Sequence, residues 1–178
     1  MRFEYELTRQ DYIDFNVYHL KNSSTFKRSL FINRYLTALL LLIAPIVLAR
    51  VTYIPLRHLL AAFAVIAALW VILYPRYCMS AVVKRISEMV DEGKNRDILG
   101  KHCLTIDEEG ITERSENGDS RISWAGVERM RESERHFFIY IGSAMAYILP
   151  KSILKDENAR EEFSRLLSRR LGGTLAAP

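Results

Sequence analysis

Two almost purely apolar segments, residues 35–49 and 59–74, are separated by only nine residues. As helices that rise about 1.5 Å per residue, they would each span roughly 22 to 24 Å, somewhat less than the bilayer hydrocarbon core of about 30 Å. Arginine side chains at the ends of such segments can reach the membrane surface and lengthen the effective span. Those available here are Arg34, Arg50, Arg57 and Arg76. The two segments therefore predict a transmembrane helical hairpin over residues 35–77.

The alternative interpretation is a pair of core helices in a soluble protein, since short apolar segments are often buried helices. Neither segment has a polar stripe, and the rest of the chain holds too few apolar residues to enclose both. Lipid surroundings are therefore favoured. Small residues at three- and four-residue spacing on the second helix predict a face that approaches the first helix or a second copy of the chain. They are Ala61, Ala64 and Ala68.

The distribution of basic residues predicts the orientation of the hairpin, because lysine and arginine are retained on the cytoplasmic side. Residues 21–34 hold four basic residues and residues 76–96 hold five, against two in the connection at 50–58. Both termini are therefore expected in the cytoplasm, and the polar first 20 residues lack the pattern of a signal peptide. The cysteines, Cys78 and Cys103, fall on the predicted cytoplasmic side and are expected to stay reduced.

The net charge of +4 comes from the half of the chain that contains the hairpin. Residues 1–97 carry 13 basic against 8 acidic residues, whereas residues 98–178 carry 12 against 13. Basic residues beside a membrane attract anionic lipid. They form no stripe with interleaved aromatic residues, as nucleic-acid binding would require. Membrane lipid is thus an expected partner, and nucleic acid is not.

The remaining sequence alternates between extended and helical patterns. Phe3, Tyr5 and Leu7 predict a short edge strand, and Thr8 with Asp11 predicts a capping box that starts a helix ending near residue 20. After residue 98, period-two patterns predict about six short antiparallel strands, with two-residue turns at 117–118 and 142–143. A charged helix with one apolar stripe is predicted to cap this sheet.

The expected fold class is therefore α+β, with a two-helix transmembrane hairpin and a small antiparallel β meander or barrel capped by a C-terminal helix. The predicted divisions are an N-terminal strand, helix and interfacial segment (1–34), the hairpin (35–77), an amphipathic stem and linker (78–97), a cytoplasmic domain (98–172) and a tail (173–178).

Several stretches of the sequence resemble a known family. A meander closed by one amphipathic helix is similar to a pleckstrin-homology-like (PH-like) barrel. The opening FEYELTRQDYIDFN, the two apolar segments, ITERSENGDSRISWAGVERMRES and YILPKSI together resemble the YcxB-like family of bacterial membrane proteins. The resemblance implies an inner-membrane protein of this architecture and does not imply a reaction.

Candidate contacts for a ligand or lipid are few. They are Lys151 at the end of the meander, Trp124 at the end of a strand, and the juxtamembrane residues Arg76, Lys84 and Arg85. No nucleotide-binding, hydrolase or metal-binding motif occurs, so no cofactor, metal site or catalytic residue is predicted.

The leading functional hypothesis is a non-enzymatic interaction module that binds a protein or lipid headgroups. The alternatives are a small membrane enzyme or enzyme regulator acting on a lipid substrate, and a subunit of an oligomeric membrane complex.

Overall fold

The computed structural model describes residues 1–91, 98–116, 118–154 and 157–170. Its helices are α1 (Arg9–Asn22), α2 (Ser24–Val51), α3 (Leu56–Asp91) and α4 (Glu157–Arg170). Its strands are β1 (Arg2–Leu7), β2 (Gly100–Ile106), β3 (Gly110–Ser115), β4 (Gly118–Ser123), β5 (Arg129–Glu132), β6 (His136–Tyr140) and β7 (Ala146–Pro150). Two long apolar helices, two antiparallel sheets and a short C-terminal helix confirm the predicted α+β class.

The chain divides into two compact units. The hairpin unit comprises residues 20–85, and the β unit comprises residues 1–19 together with the described residues after 85. The division predicted from the sequence, with residues 1–34 and 98–172 as separate segments, stays a prediction. In the structure β1 pairs along its whole length with β2, from Arg2 opposite Thr105 to Leu7 opposite Gly100. The first strand of the β unit therefore precedes the hairpin in the chain, and the other six strands follow it.

The two helices of the hairpin unit are longer than the apolar segments that predicted them. Helix α2 has 28 residues and α3 has 36, because a helix makes its backbone hydrogen bonds internally and can continue through polar flanks. The predicted interfacial segment forms the first turns of α2, and the predicted stem continues α3. Only 11% of the most apolar window of each helix is buried. Both helices are thus long and apolar enough to cross a membrane, and neither is covered as a soluble core helix would be.

One hydrogen bond fixes the register between α2 and α3. Arg34 Nε of α2 donates to the Val71 carbonyl of α3 at 2.8 Å. One turn after Arg34 in α2 lies Ala38, and one turn before Val71 in α3 lies Ala67. Both alanines are buried. The close approach of the helices is therefore at Ala67. The predicted packing residues Ala61, Ala64 and Ala68 are exposed, and their contact with α2 or with a second copy of the chain stays a prediction.

The Arg34 contact compensates for a proline. Pro75 lies inside α3 and has no backbone N–H, so it cannot donate to the carbonyl four residues earlier, that of Val71. The Arg34 guanidinium supplies the missing donor. Arg34 was expected to extend to the membrane surface, and it is instead held against the neighbouring helix.

The β unit encloses its core between two sheets. The four-stranded sheet has the order β1-β2-β3-β4, and the three-stranded sheet has the order β5-β6-β7. Helix α4 contributes Phe163, whose ring contacts Phe3 with centroids 5.4 Å apart and Phe137 with centroids 5.2 Å apart. Phe163 and Leu167 are fully buried. The predicted role of the C-terminal helix, to cap the sheet, agrees with this packing.

One predicted turn is wrong. Residues 142–143 were expected to form a two-residue type II′ turn, which requires a positive φ at the first position. Among the described residues only Gly100 and Gly118 have a positive φ. Strands β6 and β7 are instead joined by a five-residue loop, closed by a hydrogen bond from Ile141 N to Met145 O at 3.0 Å. The other predicted turn includes residue 117, which lies outside the described residues.

Candidate functional site

Lys151 lies in a short 3-10 helix, Lys151–Ile153, directly after β7. Its ammonium group forms an ion pair with Glu132 at 2.5 Å and lies 5.0 Å from the centroid of the Phe137 ring. Only 14% of the Lys151 side chain is exposed. The charge is thus already paired within the β unit, and contact between Lys151 and a lipid or other ligand stays a prediction.

Trp124 was predicted to end a strand, and in the structure it begins the 3-10 helix Trp124–Gly126, directly after β4. Its ring is half-buried against the core, and its Nε1–H donates to the Asp107 carbonyl at 3.1 Å. This is the hydrogen bond that a partly buried indole normally requires. Trp124 therefore fixes the connection between β4 and β5 to the β2–β3 turn, and its contact with a ligand stays a prediction.

The juxtamembrane candidates lie on α3. Arg76, Lys84 and Arg85 are all exposed. At 100° per residue Arg76 and Arg85 fall on opposite sides of the helix, so the three residues do not form one charged face. Lipid contact by each of them stays a prediction.

The outer side of the three-stranded sheet is covered by α1. The aromatic residues Phe15 and Tyr18 pack on Phe138 of β6, with ring centroids 5.4 and 5.0 Å apart. At one end of this contact His136 Nε2 lies 2.6 Å from Asp11 Oδ1, and both residues are buried. We call this contact surface the α1 seam.

Asp11 also caps α1. Its Oδ2 accepts hydrogen bonds from Thr8 N at 2.9 Å and from Thr8 Oγ1 at 2.6 Å, and its own N–H donates to Thr8 Oγ1. The predicted capping box is thus confirmed. Burial acts to raise the pKa of Asp11, but the hydrogen bonds from Thr8 and His136 outweigh it and hold that pKa below its usual value. One carboxylate therefore starts the helix and holds it to β6.

The other end of the α1 seam is basic. His19 Nδ1 lies 3.4 Å from the Tyr140 hydroxyl, and the Arg129 guanidinium lies over the Tyr140 ring, 4.4 Å from its centroid. Arg129 also donates to the Ser143 carbonyl at 3.4 Å. Arg131 is two residues further along β5, so its side chain leaves the same face of the strand. We call His19, Arg129, Arg131 and Tyr140 the basic cluster.

A second polar cluster lies between the two sheets. Glu113 of β3 is 3.1 Å from His102 Nδ1 and accepts a hydrogen bond from the Tyr5 hydroxyl at 3.4 Å. The Tyr5 and His102 rings are stacked, with centroids 5.7 Å apart. Burial is the largest cause of a strongly raised pKa at Tyr5, which therefore stays a neutral donor. We call these three residues the interior cluster.

The contacts of His102 indicate its protonation state. Its Nε2 lies 2.9 Å from the Ile98 carbonyl, which only accepts, and its Nδ1 faces the Glu113 carboxylate. Both ring nitrogens can donate only when the imidazole is protonated. The hydrogen bond with Glu113 is the largest cause of a raised pKa at His102, and burial acts against it. The β unit therefore favours the charged imidazole.

We expect the stability of the β unit to fall as the pH rises because of His102. A folded-state pKa above the unfolded value of about 6.5 contributes stability that is complete below that value and is lost as the pH rises through the folded pKa. Unfolding of the full chain in detergent, measured by denaturant titration at several pH values, should show a loss of about 1 to 2 kcal/mol. The variant His102→Gln should lack this dependence. An equal pH dependence in wild type and variant would contradict the assignment.

In the α1 seam and the interior cluster, the polar side chains mainly contact one another. Within the part of the chain that the structure describes, no group of three or more His, Cys, Asp or Glu residues could hold a metal ion. The carboxylates Asp11, Glu113 and Glu132 each contact a basic side chain of the β unit. Sequence analysis identified Asp11 through its cap, but it missed the histidine partners of Asp11 and Glu113. Spacing could not have found His136, because 125 residues separate it from Asp11.

Comparison with known proteins supports the resemblance seen in the sequence. Residues 106–167 match the model of the YcxB-like protein family, which confirms the resemblance over that part of the chain. The matched region runs from the end of β2 into α4. No curated protein and no solved structure matches the chain.

Proposed function

We propose, from the YcxB-like match and the two long apolar helices, that this chain is a membrane-anchored, non-enzymatic interaction module. Its β unit would bind a protein partner or lipid headgroups at the surface of the bacterial inner membrane. The observation that carries the proposal is the place of the hairpin in the chain, between two strands that pair with each other.

The pairing of β1 with β2 supports one compartment for the whole β unit. The chain leaves the sheet after Leu7 and returns to it at Gly100, which is the cross-strand partner of Leu7. If α2 and α3 both cross the bilayer, the two strands can pair only when residues 1–19 and the strands after α3 lie on the same side. The excess of basic residues outside the connection at 50–58 favours the cytoplasmic side.

Acidic side chains of the β unit are paired with basic side chains, and this favours a binding function over catalysis. A general acid or base must reach a substrate and must not be fully engaged by the fold. Asp11 holds α1 to β6, Glu113 lies between the sheets, and Glu132 forms an ion pair with Lys151. Each of these three carboxylates thus has a structural partner that accounts for its position.

Membrane anchoring and orientation can be tested together by cysteine labelling. In a background with Cys78→Ser and Cys103→Ala, Tyr53→Cys places a thiol in the exposed connection between α2 and α3, and Ala125→Cys places one on the β unit. We expect a membrane-impermeant maleimide to label Tyr53→Cys in intact spheroplasts and Ala125→Cys only after lysis. The protein should stay in the membrane pellet after an alkaline wash. Release by that wash would refute the anchoring, and the reversed labelling pattern would refute the cytoplasmic orientation.

The interaction itself can be tested with the same preparations. Crosslinking in native membranes should trap a partner in a fixed ratio, or a headgroup lipid should co-purify with the protein. Turnover of lipid esters or phosphates at an appreciable rate, lost in Glu132→Gln, would instead identify an enzyme.

A further inference from the structure

We infer that the exposed edge of strand β4 (Gly118–Ser123) binds the same strand of a second copy of the chain, so that the two four-stranded sheets join into one. The inference deepens the proposed function and rests on it, because it names the protein partner of the membrane-anchored module. The position, the exposure and the charges of β4 support it.

Strand β4 lies at the edge of the four-stranded sheet. Among the described strands it pairs only with β3, and five of its six residues are exposed. An edge strand presents a row of unpaired N–H and C=O groups, which proteins usually protect with proline, lysine or a β-bulge. The sequence GDSRIS has neither proline nor lysine, and its register with β3 runs without a bulge from Gly110 opposite Ser123 to Ser115 opposite Gly118. The edge of β4 is therefore suited to pairing with another strand.

The hydrogen bonds of β3 identify the backbone groups at this edge. Asp107 N donates to Gly110 O at 3.0 Å across the β2–β3 turn, so the backbone of Gly110 points toward β2. Every second residue of β3 does the same, and the alternate residues point toward β4. Ser120, which lies opposite Glu113, is thus bonded to β3. The backbone groups of β4 that point away from β3, which we call the open edge, belong to Asp119, Arg121 and Ser123.

The side chains of β4 are self-complementary in one arrangement. Asp119 and Arg121 lie on the same face of the sheet, on either side of Ser120 in the strand. When two copies of β4 pair antiparallel with Ser120 opposite Ser120, Asp119 of each copy lies opposite Arg121 of the other. Both residues belong to the open edge, so each such pair can exchange two backbone hydrogen bonds. A parallel, in-register pairing would instead place like charges side by side, which is unfavourable.

The ion pairs that these residues already make are compatible with this arrangement. Asp119 contacts Arg114 at 3.3 Å, and Arg121 contacts Glu109. The four side chains are 61% to 77% exposed, so each pair alone contributes little to stability. Across the joined sheet the charges would alternate in sign, in the order Arg114, Asp119, then Arg121 and Glu109 of the second copy. The pairing of two copies thus extends the existing ion pairs into a network.

Anchoring in one membrane compensates for the small size of this contact. A pairing of two six-residue strands is smaller than most stable interfaces, which bury about 1,200 Å² or more. Molecules that are confined to one membrane meet at a raised effective concentration, which favours a weak contact. The proposed function places every β unit on the same side of the membrane, so both copies would present β4 in one compartment.

Disulfide crosslinking of the full chain in native membranes measures this pairing. In the background with Cys78→Ser and Cys103→Ala, Ser120→Cys places one thiol at the centre of the expected contact. Opposite residues of a non-hydrogen-bonded pair have Cα atoms about 4.5 Å apart, which is within the range of a disulfide. Oxidation with copper phenanthroline should therefore produce a dimer of the chain. Lys101→Cys, at an exposed position of β2, is the matched control and should yield little dimer.

Charge reversal tests the register of the pairing. Asp119→Arg alone, or Arg121→Asp alone, puts like charges opposite each other at two positions, and it should lower the dimer yield of Ser120→Cys about tenfold. The double variant Asp119→Arg/Arg121→Asp restores opposite charges and should restore the yield. The two single variants, carrying different tags and produced together, should form the mixed dimer, because each arginine then faces an aspartate.

A proline at the open edge keeps the test informative if charge reversal affects folding. Arg121→Pro removes an N–H that points away from β3, so the β unit should stay folded while the dimer is lost. Arg121→Ala also removes the charge but keeps this N–H, and it should retain more dimer than the proline variant. Denaturant unfolding in detergent would verify that both variants are folded.

Three results would overturn the inference. They are equal dimer yields from Ser120→Cys and Lys101→Cys, a dimer yield that charge reversal leaves unchanged, and crosslinking of Ser120→Cys to a different polypeptide in place of a second copy. None of them affects the proposed anchoring, which the alkaline wash and cysteine labelling test independently.

Discussion

Replacing Asp11 with alanine is expected to lower the free energy of unfolding of the β unit by about 3 to 5 kcal/mol. The substitution leaves His136, which is only 2% exposed, without the carboxylate 2.6 Å from its Nε2. It also removes the acceptor for the Thr8 backbone N–H and hydroxyl at the start of α1. A buried partner that loses its counterpart costs more than an exposed one, because water cannot replace the contact. Denaturant unfolding of the full chain in detergent would measure the loss.

Asp14 provides the matched control on the same helix. It forms an ion pair with Arg135 at 3.3 Å, and the Arg135 side chain is 66% exposed. Asp14→Ala should therefore cost no more than about 1 kcal/mol. Similar losses in the two variants would contradict the view that the buried end of the α1 seam holds helix α1 in place.

The stability that Asp11 supplies should also depend on pH. Because its folded-state pKa is lowered, its contribution is complete above the unfolded value of about 3.9 and is lost as the pH falls through the folded value. This dependence is opposite in direction to that of His102. Asp11 with His136 therefore loses its contribution to stability at low pH, and His102 with Glu113 loses its contribution at high pH.

Local patterns in the sequence predicted the elements of this fold but not their partners. The alternation of Phe3, Tyr5 and Leu7 is sufficient for a half-buried strand, and Thr8 with Asp11 is sufficient for a helix start. Neither pattern specifies a partner in space. Leu7 pairs with Gly100, and Asp11 contacts His136. In both cases one residue comes before the hairpin in the sequence and the other comes after it.

The sequence also could not predict which faces of the two apolar helices meet. Where a helix is apolar on every side, hydropathy does not indicate which side meets its neighbour. The alanine spacing favoured Ala61, Ala64 and Ala68, which are exposed, and the alanine buried in α3 is Ala67. The register depends on a polar group, Arg34, and on the carbonyl that Pro75 leaves without a donor. The exposed alanines remain available for the alternative that the spacing also allows, contact with a second copy of the chain.

The largest effect in the hairpin unit is expected from Arg34→Met. Methionine keeps much of the side-chain length and removes the donor that lies 2.8 Å from the Val71 carbonyl. An unsatisfied backbone group costs about 1 to 3 kcal/mol when buried in a protein and more in lipid, so we expect a loss of about 3 kcal/mol. Unfolding of the purified protein in mixed micelles, titrated with a denaturing detergent, would measure it.

A second substitution makes the explanation specific. Pro75→Ala restores a backbone N–H at position 75, which can donate to the Val71 carbonyl within α3. In that background Arg34→Met should cost little, so the double-mutant cycle should give a coupling energy of about 2 kcal/mol. Arg50→Met, at the other end of α2, is the control and should have a small effect in both backgrounds. If the cost of Arg34→Met is the same with proline or alanine at position 75, then Arg34 stabilises the hairpin through its charge or its packing. The Val71 carbonyl would then need another donor, since Pro75 has no backbone N–H.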